Sequence, residues 1–183
     1  MTVSPTTQEL ERIMRAFVSE GSGIASDAVI PGNDNAPAPK GLYATVLQMA
    51  NAQVGIDAKK YITVDGDDTV IDTKVNGWRI ATYSVQFYRT GARDAAKAFR
   101  QYAHTPLGEL FLQKNNLGWK QSGDVIQLDN KINGKYEERA ALEIEVRFNE
   151  TLTQQVNKIG AVEIGVRESA EEDLESDLTV DDQ

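Results

Sequence analysis

Leu10, Ile13, Met14, Phe17 and Val18 recur at steps of three and four residues, while Glu9, Glu11, Arg12, Arg15 and Ser19 occupy the other side. That period predicts an amphipathic helix with one apolar stripe. Thr6-Thr7-Gln8-Glu9 sits in front of it as a capping box, in which the threonine hydroxyl and the glutamate each satisfy an amide of the first turn. Gly21 and Gly23 are expected to end the helix. Beyond residue 41 the period changes to two. Residues 42–49 read as a strand, 50–60 fit neither period, and 61–64 and 69–75 flank a turn at Asp65-Gly66. Asn76-Gly77 is predicted as a hairpin turn, because both residues tolerate the positive φ of a type I′ turn. The following strand, 78–88, places Ala81, Tyr83, Val85 and Phe87 on a buried face and Thr82, Ser84 and Gln86 on a wetter one.

A second helix is predicted over 92–104, with Ala92, Ala95, Ala96, Phe99 and Ala103 on one side and Thr90 as its cap. Pro106 suits a first helical position, and Leu107, Leu110 and Phe111 suggest a short third helix ending near Asn115-Asn116. Residues 125–128 make a short strand and Asn133-Gly134 a second hairpin turn. Leu142, Ile144, Val146 and Phe148 alternate with Glu143, Glu145 and Arg147, which is the clearest strand pattern in the chain, and Val162, Ile164 and Val166 give a last one. The pattern predicts an α+β fold, with a mixed or antiparallel sheet and two main helices packed on one face.

One segment obeys neither period. Residues 29–41 hold three prolines, two glycines and two asparagines, which rules out a helix interior or a central strand. Pro37 and Pro39 stiffen this loop, and Asn33 and Asn35 can bond neighbouring backbone, so it is preorganised. Two readings stand side by side: a contact surface, or a long crossover passing over the edge of a sheet.

Charge divides the chain. Residues 168–183 contain eight acidic side chains and no lysine or arginine, so nearly all of the net charge of −9 lies there. We therefore expect one domain over 1–167 and an acidic extension over 168–183. The domain lacks the basic footprint that phosphate binding requires, so sequence-specific nucleic-acid binding is not expected. No stretch has the length and apolarity of a membrane span. The opening residues Met1-Thr2-Val3-Ser4-Pro5-Thr6-Thr7 lack a basic region followed by an apolar run, from which we expect a cytoplasmic protein without a secretory signal. The acidic extension carries a second capping box, Ser169-Ala170-Glu171-Glu172, with Leu174 and Leu178 four residues apart. So short a helix is marginal alone. The expectation is that Leu174, Leu178 and Val180 anchor it on a neighbouring subunit or another protein, with its carboxylates against lysine or arginine.

Signs of chemistry are few. The chain has no cysteine and one histidine, His104, expected at a helix C-terminus where it suits the dipole. No G-x-S-x-G elbow accompanies it, and Gly21-Ser22-Gly23 lacks the third glycine and the preceding strand of a dinucleotide loop. Asp65-Gly66-Asp67-Asp68 clusters carboxylates, but an EF-hand loop would need glycine and glutamate where Val70 and Asn76 stand, and a solvated turn is the better reading. Glu143 and Glu145 read as the solvent or interface face of a strand. Asn149-Glu150-Thr151 is a glycosylation sequon expected to be silent without secretion. No enzyme activity and no cofactor are expected.

The loop carries a resemblance. Pro31-Gly32-Asn33-Asp34-Asn35-Ala36-Pro37-Ala38-Pro39, followed by Tyr43, resembles the G-N-x-N-A-P-x-P…Y pattern of the phage neck (tail) terminator family. The first helix, the strand leading into the alanine-rich helix, Thr105-Pro106, and Glu138-Arg139-Ala140-Ala141-Leu142 extend the likeness over about residues 8–166. The acidic extension departs from it. The resemblance implies a tail-terminator fold and a non-enzymatic virion protein, made in the host cytoplasm and placed at the neck. It implies a ring, usually six-fold, that ends the tail tube and joins it to the head-side connector, with the genome passing through. Its partners would be further copies of itself, the connector, the tube and, where the tail has one, the sheath. Pro31, Gly32, Asn33, Asn35, Pro37, Pro39 and Tyr43 are then the contact candidates of the body, beside Leu174, Leu178 and Val180 of the extension. A head-completion protein below the portal is the alternative within this class. A small hydrolase or adaptor using the carboxylates at 65–68 is the alternative outside it.

Overall fold

In a computed structural model of the protein, which describes residues 2–33, 37–64, 67–132 and 134–157, the first helix, α1 (Thr7–Ser22), begins at the predicted box. The Glu9 amide donates to Thr6 Oγ1 at 3.2 Å, and Glu9 Oε2 accepts from the Thr6 amide at 2.8 Å. Leu10, Met14, Phe17 and Val18 are buried along its stripe. Gly23, with φ of 73°, turns the chain out of the helix. Gly21 does not end α1 but lies within it, where a Cβ would come within 2.7 Å of the Tyr102 ring, so its lack of a side chain lets another helix approach closely.

That helix is α2 (Ala92–Tyr102), and α3 (Pro106–Lys114) follows after a tight turn. Thr105 caps α3, accepting from the Gly108 amide, with Pro106 in its first turn. Leu107 and Leu110 face outward, while Leu112 is buried in the core and Phe111 packs against it. Thr90 does not cap α2. Gly91 stands at the N-cap without a side-chain bond, and Glu138, distant in sequence at the junction of two later strands, supplies the acceptor instead.

The strands are β1 (Thr2–Ser4), β2 (Val29–Pro31), β3 (Tyr43–Val64), β4 (Asp67–Tyr88), β5 (Leu117–Ser122), β6 (Ile126–Gln127), β7 (Asn130–Ile132), β8 (Lys135–Glu137) and β9 (Arg139–Asn157). The main sheet runs β1-β9-β4-β3-β2, with β5 and β6 also on the β1 edge of β9, while β7 and β8 form a separate pair. It is mixed, because β2 pairs parallel to β3 and the other pairs are antiparallel. Ala81, Tyr83, Val85 and Phe87 of β4 share a face with Leu142, Ile144 and Val146 of β9 and with Ala44 and Val46 of β3. These side chains and the buried residues of all three helices make one core. The architecture is α+β with a mixed sheet and three helices, and strand dominates it.

Two further expectations from local pattern do not hold. Residues 29–31, expected within a loop, form an edge strand, where a proline at the end costs no ladder bond. Asn76-Gly77 makes no turn. It lies in the middle of β4, with Asn76 opposite Ala58 on one side and Thr151 on the other. The chain reverses instead at the other predicted turn, between β3 and β4, whose residues 65–66 lie outside the described ones. Residues 50–60, which fitted neither period, continue β3. They extend past the core into an arm of β3, β4 and β9, where β3 is exposed on both faces and needs no alternation. At the usual strand rise the arm reaches roughly 40 Å beyond the core. The strands β1 and β5 carry short signals that the pattern did not predict. The strand expected at 162–166 and Asn133 of the second hairpin lie outside the described residues.

Candidate functional site

The predicted loop is anchored at both ends to one strand. At its start the Gly32 amide donates to the Val46 carbonyl at 2.8 Å, and a Cβ at Gly32 would lie 2.7 Å from the Cβ of Leu47, so only glycine lets the chain run this close to β3. At its end Gly41, with φ of 83°, turns the chain into Leu42, which packs on the core, and then into Tyr43 at the head of β3. Between these ends Asn33 and Pro37 are exposed and Pro39 is half-buried; Asn35 lies outside the described residues.

Tyr43 is 8% exposed and stacks on its cross-strand partner Tyr88, with ring centroids 4.6 Å apart and planes 5° from parallel. Two guanidinium groups flank the pair, Arg89 at 5.2 Å from the Tyr43 centroid and Arg139 at 5.0 Å from that of Tyr88. Such cation–π contacts suit arginine, whose planar cation is weakly hydrated. Burial raises the Tyr43 hydroxyl pKa, and the nearby Tyr88 and Glu137 add to this. Arg89 has φ of 75°, uncommon for a side-chain-bearing residue. It is held by its amide, which donates to the Glu138 carbonyl at 2.8 Å, and by Nη1, which donates to the Gly41 carbonyl at 3.2 Å.

Glu138 ties this corner to α2. Its carboxylate accepts from the Gly91 amide at 3.1 Å and the Arg93 amide at 3.0 Å. Those backbone bonds hold its pKa below the ordinary value, as an anion at a helix N-terminus should be. The result is an open cleft of about 560 Å³ between Ala38 of the loop, Tyr43, Arg89, Tyr136 and Arg139. Its aromatic faces and fixed arginines suit recognition of a polypeptide surface.

Two stretches nearly a hundred residues apart, the proline loop ending at Tyr43 and the segment beginning Glu138-Arg139, thus meet at one corner. Both belong to the pattern read from the sequence. Residues 8–170 match the family described as phage neck terminator protein. The chain belongs to that family. Among curated proteins there is no match to it. As a neck terminator the protein is a structural component of the phage neck and tail, and this agrees with a role other than catalysis.

The remaining candidates in the neck terminator are dispersed. His104 is exposed just beyond the end of α2, edge-on to Trp119 at 5.9 Å. Glu143 is exposed, and Glu145 is ion-paired with Lys120 on β5. The side chains at 65–68 and the residues Leu174, Leu178 and Val180 lie outside the described ones. Among the described residues no cluster of histidine or carboxylate groups suits a metal ion, and no helix is long and apolar enough to cross a membrane. The sequence reading did not single out Tyr88 and Arg89. A tyrosine directly before an arginine at a strand-to-helix junction is a weak signal, and its meaning comes from the partners opposite.

Proposed function

We propose that this neck terminator assembles into a closed ring of six copies that ends the tail tube on one side and meets the head-side connector on the other. Family membership across residues 8–170 is the observation that carries the reading. A ring of heterologous contacts uses up its own interfaces, which lets it stop a polymer rather than extend it. The loop over residues 31–41 and the Tyr43 corner are contact surfaces in this reading. Their anchoring at both ends supports it, since a preorganised surface loses little entropy on binding. Residues 168–183 form an extension to the domain that docks on a neighbouring subunit or a neck protein. The family match stops at residue 170, which is consistent with a segment peculiar to this chain. Assembly takes place in the host cytoplasm, from which the ring joins the virion.

Native mass measurement and low-resolution imaging of the purified protein test the ring. Closed rings, alone at high concentration or on a tube end, are expected. A protein that stays monomeric under both conditions overturns the reading. For the extension, binding to connector and tube proteins is compared with and without residues 168–183 at two salt concentrations. Unchanged affinity would reduce the segment to a solubilising appendage.

A further inference from the structure

The arm carries an apolar face of its own. Residues 70–88 of β4 pair with β9 without a register shift, so the alternation that buries Ala81, Tyr83, Val85 and Phe87 continues outward along the same side of the sheet. That side first meets a polar break. Gly55, Ile56 and Asp57 of β3 form a bulge opposite Gly77, and the Arg79 guanidinium donates to Asp57 at 2.8 Å and to Glu150 of β9 at 2.9 Å. This clamp ties the three strands together. Beyond it the side turns apolar again: Val75 lies opposite Leu152, Leu152 lies opposite Val3 of β1, and Ile71 lies opposite Val156. Tyr61 stands beside them, opposite Thr73. The other side of the same strands carries Lys60, Asp72, Lys74, Asn76, Thr151 and Thr153.

One apolar and one polar side is the pattern of a sheet covered on one side. Among the described residues the buried core ends at Ala81 on β4 and Phe148 on β9, while past the clamp Val3 is 42% exposed and Tyr61 65%. The chain itself supplies a cover. β9 reaches the end of this face at Asn157, opposite Val70, and the sequence runs on from there with Gly160, suited to a turn, and then Val162, Ile164 and Val166 at period two. Val162 to Val166 spans roughly 13 Å as a strand, the same length as Leu152 to Val156 on the face. The residues between Asn157 and Val162 suffice for a hairpin-type reversal. Burial then selects the side, because a slip by one residue would turn all three apolar groups to the polar surface. A segment joined directly to the face also meets it at a far higher effective concentration than one from another molecule.

We propose that residues 158–166 turn back at Gly160 and lay Val162, Ile164 and Val166 on the apolar face of their own arm, against Val75, Leu152 and Val156. Arg167 and the acidic extension then start at the root of the arm, beside Val3 and the entry to α1, instead of at its tip. The inference stands apart from the ring reading and fixes the point on the body from which the extension reaches its partner.

Because the chain has no cysteine, the fold-back can be trapped. Ile164→Cys is combined in the full chain either with Thr73→Cys, on the apolar side of the middle strand, or with Asp72→Cys, one residue away on the polar side. Each double variant is treated in dilute solution with a short bismaleimide, beside a mixture of the Thr73→Cys and Ile164→Cys single variants. Circular dichroism and thermal melting establish that each remains folded. The 73–164 pair should link within one chain roughly tenfold faster than the 72–164 pair, and the mixed single variants should not link. Independently of any cysteine, Ile164→Asp should quicken amide exchange over residues 71–75 and 152–156 by roughly tenfold and leave 81–87 unchanged. Equal linking at 72 and 73 overturns the proposal, because the segment would then have no preferred side. Linking that occurs only between chains overturns it as well, and assigns the face to another copy. Exchange in Ile164→Asp equal to that of the parent also sinks it, since the segment would not be covering the arm.

Discussion

Asp57 occupies the space that any side chain at position 77 would need: its Oδ1 lies 1.9 Å from where a Cβ on Gly77 would stand. The glycine of the strongest turn signal in the chain is thus used to admit an ion pair from the neighbouring strand. Gly77→Ala should push Asp57 off Arg79, whose bonds to Asp57 and Glu150 raise its own pKa and depress that of Asp57. Hydrogen exchange should quicken in the arm around residues 54–58 and 76–79 and stay unchanged in the core strands. Uniform protection in the variant would mean that the clamp contributes nothing to the arm.

Glu138 gives the fold an acid-sensitive joint. Its folded-state pKa is depressed from the ordinary 4.5, chiefly by the Arg93 and Gly91 amides. The stability it contributes is therefore present above that value and is lost as pH falls through the lower folded-state pKa. Replacing a helix cap costs about 1 kcal/mol. Glu138→Ala should be destabilised by about that amount at neutral pH, and denaturant titrations should find the gap to the parent closing in acid. A gap independent of pH would assign the loss to packing.

The Tyr43–Tyr88 stack should depend on its rings far more than on the Tyr43 hydroxyl. Tyr43→Phe keeps the stack and should change stability little. Tyr43→Ala empties a buried site and should cost about 3–5 kcal/mol. A double-mutant cycle with Tyr88→Ala should return a coupling of about 0.5–1.5 kcal/mol, the usual range for aromatic pairs. Strict additivity would remove the stack as an energetic unit.

Pro37 and Pro39 are predicted to act on assembly more than on folding. Pro37 is exposed and Pro39 half-buried, so glycine at both should leave a folded monomer. The loop would then lose stiffness, and rings should form less readily in native mass measurements. Rings as stable as those of the parent would make the loop only a connector.

Signals confined to a few neighbouring residues were legible in advance. The Thr6–Glu9 box, the apolar stripe of α1, the cap at Thr105 with Pro106 behind it, and the alternation from Leu142 to Phe148 each stand where the sequence puts them. The loop motif likewise led to the family, because its residues are contiguous. At Asn76-Gly77 local preference and tertiary pairing conflict. A turn there would give up ladder bonds to both β3 and β9, and these outweigh a dipeptide preference. Thr90 lost the cap of α2 to a carboxylate 45 residues beyond Arg93, and Ile56 is left exposed on a bulge held by bonds from Arg79, 22 residues beyond Asp57. The sequence by itself determined the elements whose energy is local and the family they belong to. Only the tertiary structure decided that Asn76-Gly77 stays within β4, what caps α2 and which apolar residue stands free, since each rests on hydrogen bonds between residues the chain keeps far apart.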